Sequence, residues 1–162
     1  SSDYWSPCQF ENEFNTLVHA NITAPEINAD MSQLGHSGWH FVSGAGTGGT
    51  LMGIHKYMTS QSVDPGDVIQ VVPAESATNH GIQGINDGAD FLLDRNKMER
   101  QVHVSTAEAI KASHDFAKTH GLLVGISAGA NLVAARKLLD EGASAPLVTL
   151  LCDRGERYFS IS

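Results

Sequence analysis

Apolar residues along this chain fall in short compact runs, not in alternation with polar ones. Trp39 to Ser43, Val68 to Val72, Leu122 to Ile126 and Leu147 to Leu151 each read as a strand buried on both faces. Val102-His103-Val104 adds a short strand or extended linker. Between the runs lie helical stretches. Thr23-Ala24-Pro25-Glu26 places an N-cap threonine, an early proline and a first-turn glutamate at the head of a helix running to about Gln33. Leu51 to Met58 is a second helix. Ser105-Thr106-Ala107-Glu108 is a capping box that opens a third, which runs to about Thr119 and ends at His120-Gly121. Ser127-Ala128-Gly129-Ala130 leads into a fourth, which continues through Leu139. Ser1 to Asn21 reads as irregular, and Pro73 to Asn96 as a long irregular connection. Strands alternating with helices predict an α/β fold, a three-layer domain whose mostly parallel sheet is covered on both faces.

At 162 residues the chain is expected to be a single domain, 1–162. Its formal net charge of -8 argues against nucleic-acid binding and against docking on anionic lipid. No apolar run approaches the ~20 residues of a membrane helix. No signal peptide is visible at the start, and Cys8 and Cys152 stand far apart, so a reducing cytoplasm is the expected location. The eight histidines are scattered, and Ser37-Gly38 between His36 and His40 argues against a helix that would turn both to a metal; no metal site is expected.

Two glycine-rich turns carry the candidate chemistry. Gly44-Ala45-Gly46-Thr47-Gly48-Gly49-Thr50 lies between a strand and a helix, where backbone N–H groups and the helix's positive end can cradle an anion. The same segment fits GxGxxG through Gly44, Gly46 and Gly49. Glu75 stands near where a ribose-binding acid is expected, so a dinucleotide half-domain is a rival reading on this motif alone. Gly125-Ile126-Ser127-Ala128-Gly129-Ala130 is a second small-residue turn at a strand end. There Ser127 either faces the same crevice or serves as an N-cap.

In order along the chain stand Gln9-Phe10-Glu11-Asn12, Thr23 to Ile27, Gly46 to Thr50, Glu75, Gly84-Ile85, Gly125 to Ala130 and Asp153 to Tyr158. Together they resemble the carboxyl-terminal half of the cysteine synthase and cystathionine β-synthase family, the fold-type-II pyridoxal-phosphate (PLP) enzymes. The resemblance covers nearly the whole chain and outweighs the dinucleotide reading.

It implies that Gly46, Thr47, Gly48, Gly49 and the Thr50 hydroxyl hold the PLP phosphate and that Ser127 meets the pyridine nitrogen. It places Gly84 and Ile85 in a loop near an amino-acid substrate and makes Glu75 structural. A serine at the pyridine nitrogen leaves the ring essentially neutral, which suits β-replacement and β-elimination. The implied parent is a homodimeric two-domain enzyme making cysteine from O-acetylserine and sulfide, and this chain is its large cofactor-phosphate-binding domain. Cystathionine β-synthase and cysteine desulfhydrase are related alternatives; a non-catalytic partner- or anion-binding module is an alternative of another class.

Departures from the family pattern are equally specific. Asn86-Asp87-Gly88-Ala89-Asp90 is more polar than usual after Gly84-Ile85, and Cys152 stands where many relatives carry proline. None of Lys56, Lys97, Lys111, Lys118 and Lys137 lies in the context of the family's Schiff-base lysine. That lysine and the loop gripping the substrate carboxylate belong to an amino-terminal half that is absent here. No catalytic residue is therefore expected in this chain, and the chain alone is expected to be inactive.

Overall fold

A computed structural model describes residues 4–64, 66–76, 79–86 and 88–158. Asp87, one of the departures noted above, lies outside the described residues. Four strands form one parallel sheet in the order β3-β2-β1-β4: β1 (His40–Gly44), β2 (Val68–Pro73), β3 (Arg100–Val104) and β4 (Leu147–Thr149). Phe41 pairs with Val68 on one side of β1 and with Val148 on the other; Val71 pairs with Val102.

Side chains alternate across this sheet and feed two cores. Val42, Ile69, Val71, Val102 and Val104 pack with Ala109, Ala130, Ala134 and Leu138 of helices α4 (Thr106–His120) and α5 (Ile126–Asp140). Trp39, Phe41 and Val68 pack on the opposite face with Met31 of α2 (Ala24–Gln33) and with Leu51, Ile54 and Met58 of α3 (Gly49–Gln61). Three layers result, as the unbroken apolar runs predict. Trp39 is fully buried, and its indole N–H donates to Asn28 Oδ1 at 3.1 Å, which ties α2 to the start of β1.

Two expectations are corrected. The segment up to Asn21 is not irregular throughout. Helix α1 (Phe14–Val18) runs into a π-helical turn, His19–Thr23, and then directly into α2. Thr23 is thus interior to a continuous helical path and caps nothing; its hydroxyl meets His19 Nδ1 at 3.0 Å. The polar residues that obscure this helix in the sequence are the ones it turns toward α3, whereas its apolar Phe14, Val18 and Ile22 are exposed.

The second correction concerns Leu122 to Ile126, which is not a strand of the sheet. Gly121, at φ 70°, caps α4, and the chain turns straight back into α5. The two helices lie side by side on one face, so no return to the sheet occurs between them. The apolarity of the run serves other contacts: Val124 and Ile126 are buried, and Val124 forms an isolated antiparallel bridge with Arg154. Gly125 N–H donates to the Asp153 carbonyl at 2.9 Å and Gly155 N–H to the Leu123 carbonyl at 3.1 Å, so the Asp153–Tyr158 motif pins this link.

Candidate functional site

The site forms at the carboxyl end of β1, where the sheet hands the chain to α3 through residues 44–48. Gly48 adopts φ 88°, a left-handed conformation that favours glycine, and it stands at the helix's N-cap position. A Cβ there would also fall 2.6 Å from Leu93 N. The first turn of α3 contains no acidic residue, so its positive end is not neutralised from within.

The two threonines of the loop are engaged on their inner side. Thr47 Oγ1 accepts from Asn15 Nδ2 at 2.9 Å and from Gly49 N–H at 3.2 Å. Thr50 Oγ1 meets His19 Nε2 at 3.1 Å. Burial pushes the His19 pKa down, so the imidazole stays neutral and joins Thr50 to Thr23 through its two ring nitrogens. Asn15 and His19, four residues apart on the path from α1 into the π turn, therefore form a bracket behind the loop. Gly49 and Gly53 admit that bracket: a Cβ on Gly49 would collide with Asn15 Oδ1, and one on Gly53 with His19 Cβ.

A second loop closes over the first. Asn86 N–H donates to the Ala45 carbonyl at 2.9 Å and Asn86 Nδ2 to the Gly46 carbonyl at 2.7 Å. This brings Gly84 beside Gly46, where a Cβ on Gly46 would lie 3.2 Å from the Gly84 carbonyl oxygen. Gly84 itself, at φ 98°, faces Ser127: a Cβ there would stand 3.0 Å from Ser127 Oγ. Ile85 is buried above Gly44. Ser127 is buried in the first turn of α5; the N-cap is Gly125, and no side chain caps this helix. The structure thus draws the Gly46–Thr50 loop, Gly84-Ile85 and Ser127 into one neighbourhood, although they are far apart in the sequence.

Glu75 is turned toward α4. Its Oε1 accepts from Thr106 N–H at 2.8 Å at the start of α4, and this hydrogen bond, the largest of several influences, holds its carboxyl below the usual range. Cys152 is an exposed residue whose thiol lies 3.7 Å from Asn131 Nδ2; desolvation of the sulfur, which outweighs the opposing hydrogen bonds, pushes the thiol's pKa up. Lys97, Lys111 and Lys137 are occupied by Asp94, Asp115 and Glu108, while Lys56 and Lys118 are exposed on helices. Among the described residues, no group of three or more His, Cys, Asp or Glu could hold a metal ion, and no helix is long and apolar enough to cross a membrane.

Asn86 enters the sequence reading only as the start of the polar stretch after Gly84-Ile85, and Asn15, His19 and Asn131 carry no motif signal. Only the spacing of Asn15 with His19, and of Ser127 with Asn131, each four apart, marks them as partners on one helical face.

Known proteins share this fold. The family model described as "Pyridoxal-phosphate dependent enzyme" matches residues 1–153. Cysteine synthase B of Pseudomonas aeruginosa is 34% identical over 156 residues, covering 94% of this chain and 50% of its own length. A hydrogen sulfide-producing enzyme of Fusobacterium nucleatum superposes with a TM-score of 0.88 at 33% identity, over 99% of this chain and 50% of that one. An O-acetylserine dependent cystathionine β-synthase of Helicobacter pylori does so at 0.81 and 31%, over 100% and 54%. The chain spans about half the length of the curated relatives it matches, and it aligns with their carboxyl-terminal half. On sequence and on fold together, the chain belongs to the pyridoxal-phosphate dependent enzymes.

Proposed function

We propose that this chain is the cofactor-phosphate-binding half of a PLP-dependent β-replacement enzyme, one that makes cysteine from O-acetylserine and sulfide. The observation that carries the reading is the convergence of Gly46, Gly84 and Ser127, because it supports one slot with an anion cradle at one end and a neutral hydroxyl at the other. PLP fits those ends. The glycines let the two loops and Ser127 approach more closely than a Cβ would allow, and the first turn of α3 brings no acid of its own to compete with an external phosphate.

In this reading Gly46, Thr47, Gly48, Gly49 and Thr50 bind the phosphate. His19 and Asn15 orient the two threonine hydroxyls, so that their remaining hydrogen-bonding capacity points to the anion. Ser127 holds the pyridine nitrogen without a formal charge, and Gly84 and Ile85 wall the slot on the substrate side. PLP, when bound, supplies the electron sink for exchange of a β-substituent. The lysine such chemistry requires would come from an amino-terminal half outside this chain, which would also cover the exposed Trp5, Phe14, Val18 and Ile22. Homodimer formation and a cytoplasmic location belong to that complete enzyme.

Likeness to a hydrogen sulfide-producing enzyme supports a second reading, β-elimination from cysteine. A non-catalytic anion-binding module remains the reading of another class. The test has two parts. Phosphate or PLP added to the purified chain moves the amide signals of Gly46 to Thr50 more than any others; shifts confined to distant residues overturn the cradle. Cysteine formation from O-acetylserine and sulfide is absent with the chain alone and arises when the lysine-bearing half is supplied. Sulfide release from cysteine by the reconstituted pair, without cysteine formation, selects the elimination reading.

A further inference from the structure

Asn131 is a polar side chain with no exposure at all, and the cofactor reading does not use it. Helix α5 places it one turn beyond Ser127, on the same face. A carboxamide so buried must have its polar atoms met. Its Oδ1 accepts from Gly44 N–H at 2.9 Å and its Nδ2 donates to the Leu150 carbonyl at 3.0 Å.

The register of β1 and β4 gives that placement its meaning. His40 pairs with Leu147 and Val42 with Thr149, and His40 N–H donates to the Pro146 carbonyl at 2.8 Å. A parallel ladder repeats such bonds every two residues. The rung after Val42 would therefore run from Gly44 N–H to the Leu150 carbonyl. Those are the two groups that Asn131 holds. Its side chain acts as one inserted peptide unit, accepting from one strand and donating to the other, and the strand tips stand an amide apart where the ladder would have closed at about 2.9 Å. Gly44 is the first residue of the loop that becomes the cradle.

We infer that Asn131 is a carboxamide wedge: a positioning residue that parts β1 from β4, so that the Gly46–Thr50 cradle and Ser127 face one cofactor slot. The inference rests on the PLP reading and adds to it the residue that sets the slot's opening. Because the wedge sits on the same helix as Ser127, it also fixes the serine relative to the start of the loop. Without the amide, Gly44 N–H is free to bond the Leu150 carbonyl directly. Ile85, whose side chain lies against Gly44, must then move with the loop.

The test uses the 162-residue chain, with PLP and inorganic phosphate as probes. In the wild type, scalar coupling through the hydrogen bond links Gly44 nitrogen to the Asn131 side-chain carbonyl carbon and not to the Leu150 carbonyl carbon. In Asn131→Ala the coupling passes to Leu150, and affinity for PLP falls at least tenfold. Asn131→Leu fills the same space without polar atoms and loses affinity equally, which separates the amide from its volume. Coupling of Gly44 to Leu150 in the wild type overturns the wedge without any variant being needed. Wild-type affinity in both variants overturns its positioning role. A wild-type chain that binds neither probe overturns the cofactor reading instead, and the coupling measurement still judges the wedge.

Discussion

Two helices of this molecule begin beyond the carboxyl ends of parallel strands of one sheet, β1 and β3 with β2 between them, and their first turns are opposites. Helix α4 leaves β3 almost at once and surrounds its own N-terminus with acid. Ser105 Oγ accepts from Glu108 N–H at 3.2 Å, Glu108 Oε2 accepts from Ser105 N–H at 2.8 Å, and Glu75 Oε1 accepts from Thr106 N–H. Backbone and hydroxyl hydrogen bonds from Ser105, with the Lys137 ammonium 2.9 Å away, hold the Glu108 carboxyl down at about 2. Helix α3 leaves β1 through glycines, has no acid in its first turn and has no side chain at its N-cap, Gly48; of the first-turn N–H groups, the neutral Thr47 hydroxyl meets only that of Gly49. The same partial positive charge is neutralised internally at α4 and is open to an outside anion at α3. On the proposed reading, a helix start becomes a binding site by what the sequence withholds from it.

Four perturbations test that contrast. The largest effect is expected from Gly48→Ala. It forces a side chain into a φ 88° conformation beside Leu93, at a cost of about 1–3 kcal/mol for the backbone alone. Thermal unfolding reads the loss, and phosphate no longer moves the Gly46 to Thr50 amide signals. Thr50→Glu comes next, since it gives α3 the internal anion that α4 already has. Phosphate affinity falls roughly tenfold, about 1.4 kcal/mol, while the protein without phosphate is no less stable by more than the lost Thr50–His19 contact; phosphate titration at constant ionic strength measures it. Unchanged affinity would sink the idea that the missing acid matters.

Ser105→Ala acts on the other helix. Removing the N-cap costs about 1 kcal/mol of stability and leaves phosphate affinity at the wild-type value, as chemical denaturation and the same titration can check. The smallest effect concerns pH. The Glu108 pKa is depressed in the folded chain, so its contribution is complete above its unfolded value near 4.5 and is lost as pH falls toward about 2. Glu108→Gln therefore flattens the acid side of the stability profile between those limits by a few tenths of a kcal/mol, since the side chain is largely solvated.

What could be read from the chain follows the range of the interaction concerned. The capping box of α4 lies within four residues and needs no tertiary context, and the structure contains both of its hydrogen bonds. The glycines of the α3 loop are just as local. Leu122 to Ile126 misleads because an apolar run records burial and not the partner that provides it; here the partner is a hairpin of helices and the Arg154 bridge. Phe14 to Thr23 misleads in the opposite sense, with a helix whose inward residues, Asn15 and His19, are polar because they face threonine hydroxyls. Asn131 is the least legible of all: in a helix of mostly small and apolar residues it looks like an ordinary interruption, and only the register of two strands explains it.

Sequence separation also governs when the proposed slot can form. Thr149 Oγ1 donates to the Val42 carbonyl across 107 positions of sequence, and the Gly44 to Asn131 bond spans 87. Contacts between residues so far apart close late, because the intervening chain must first be confined. As the chain emerges during synthesis, the glycine loop appears before Ser127 and before the strand β4 that lies beside β1. On the proposed reading, any phosphate compound present at that stage meets a flexible peptide, and binding waits for β4.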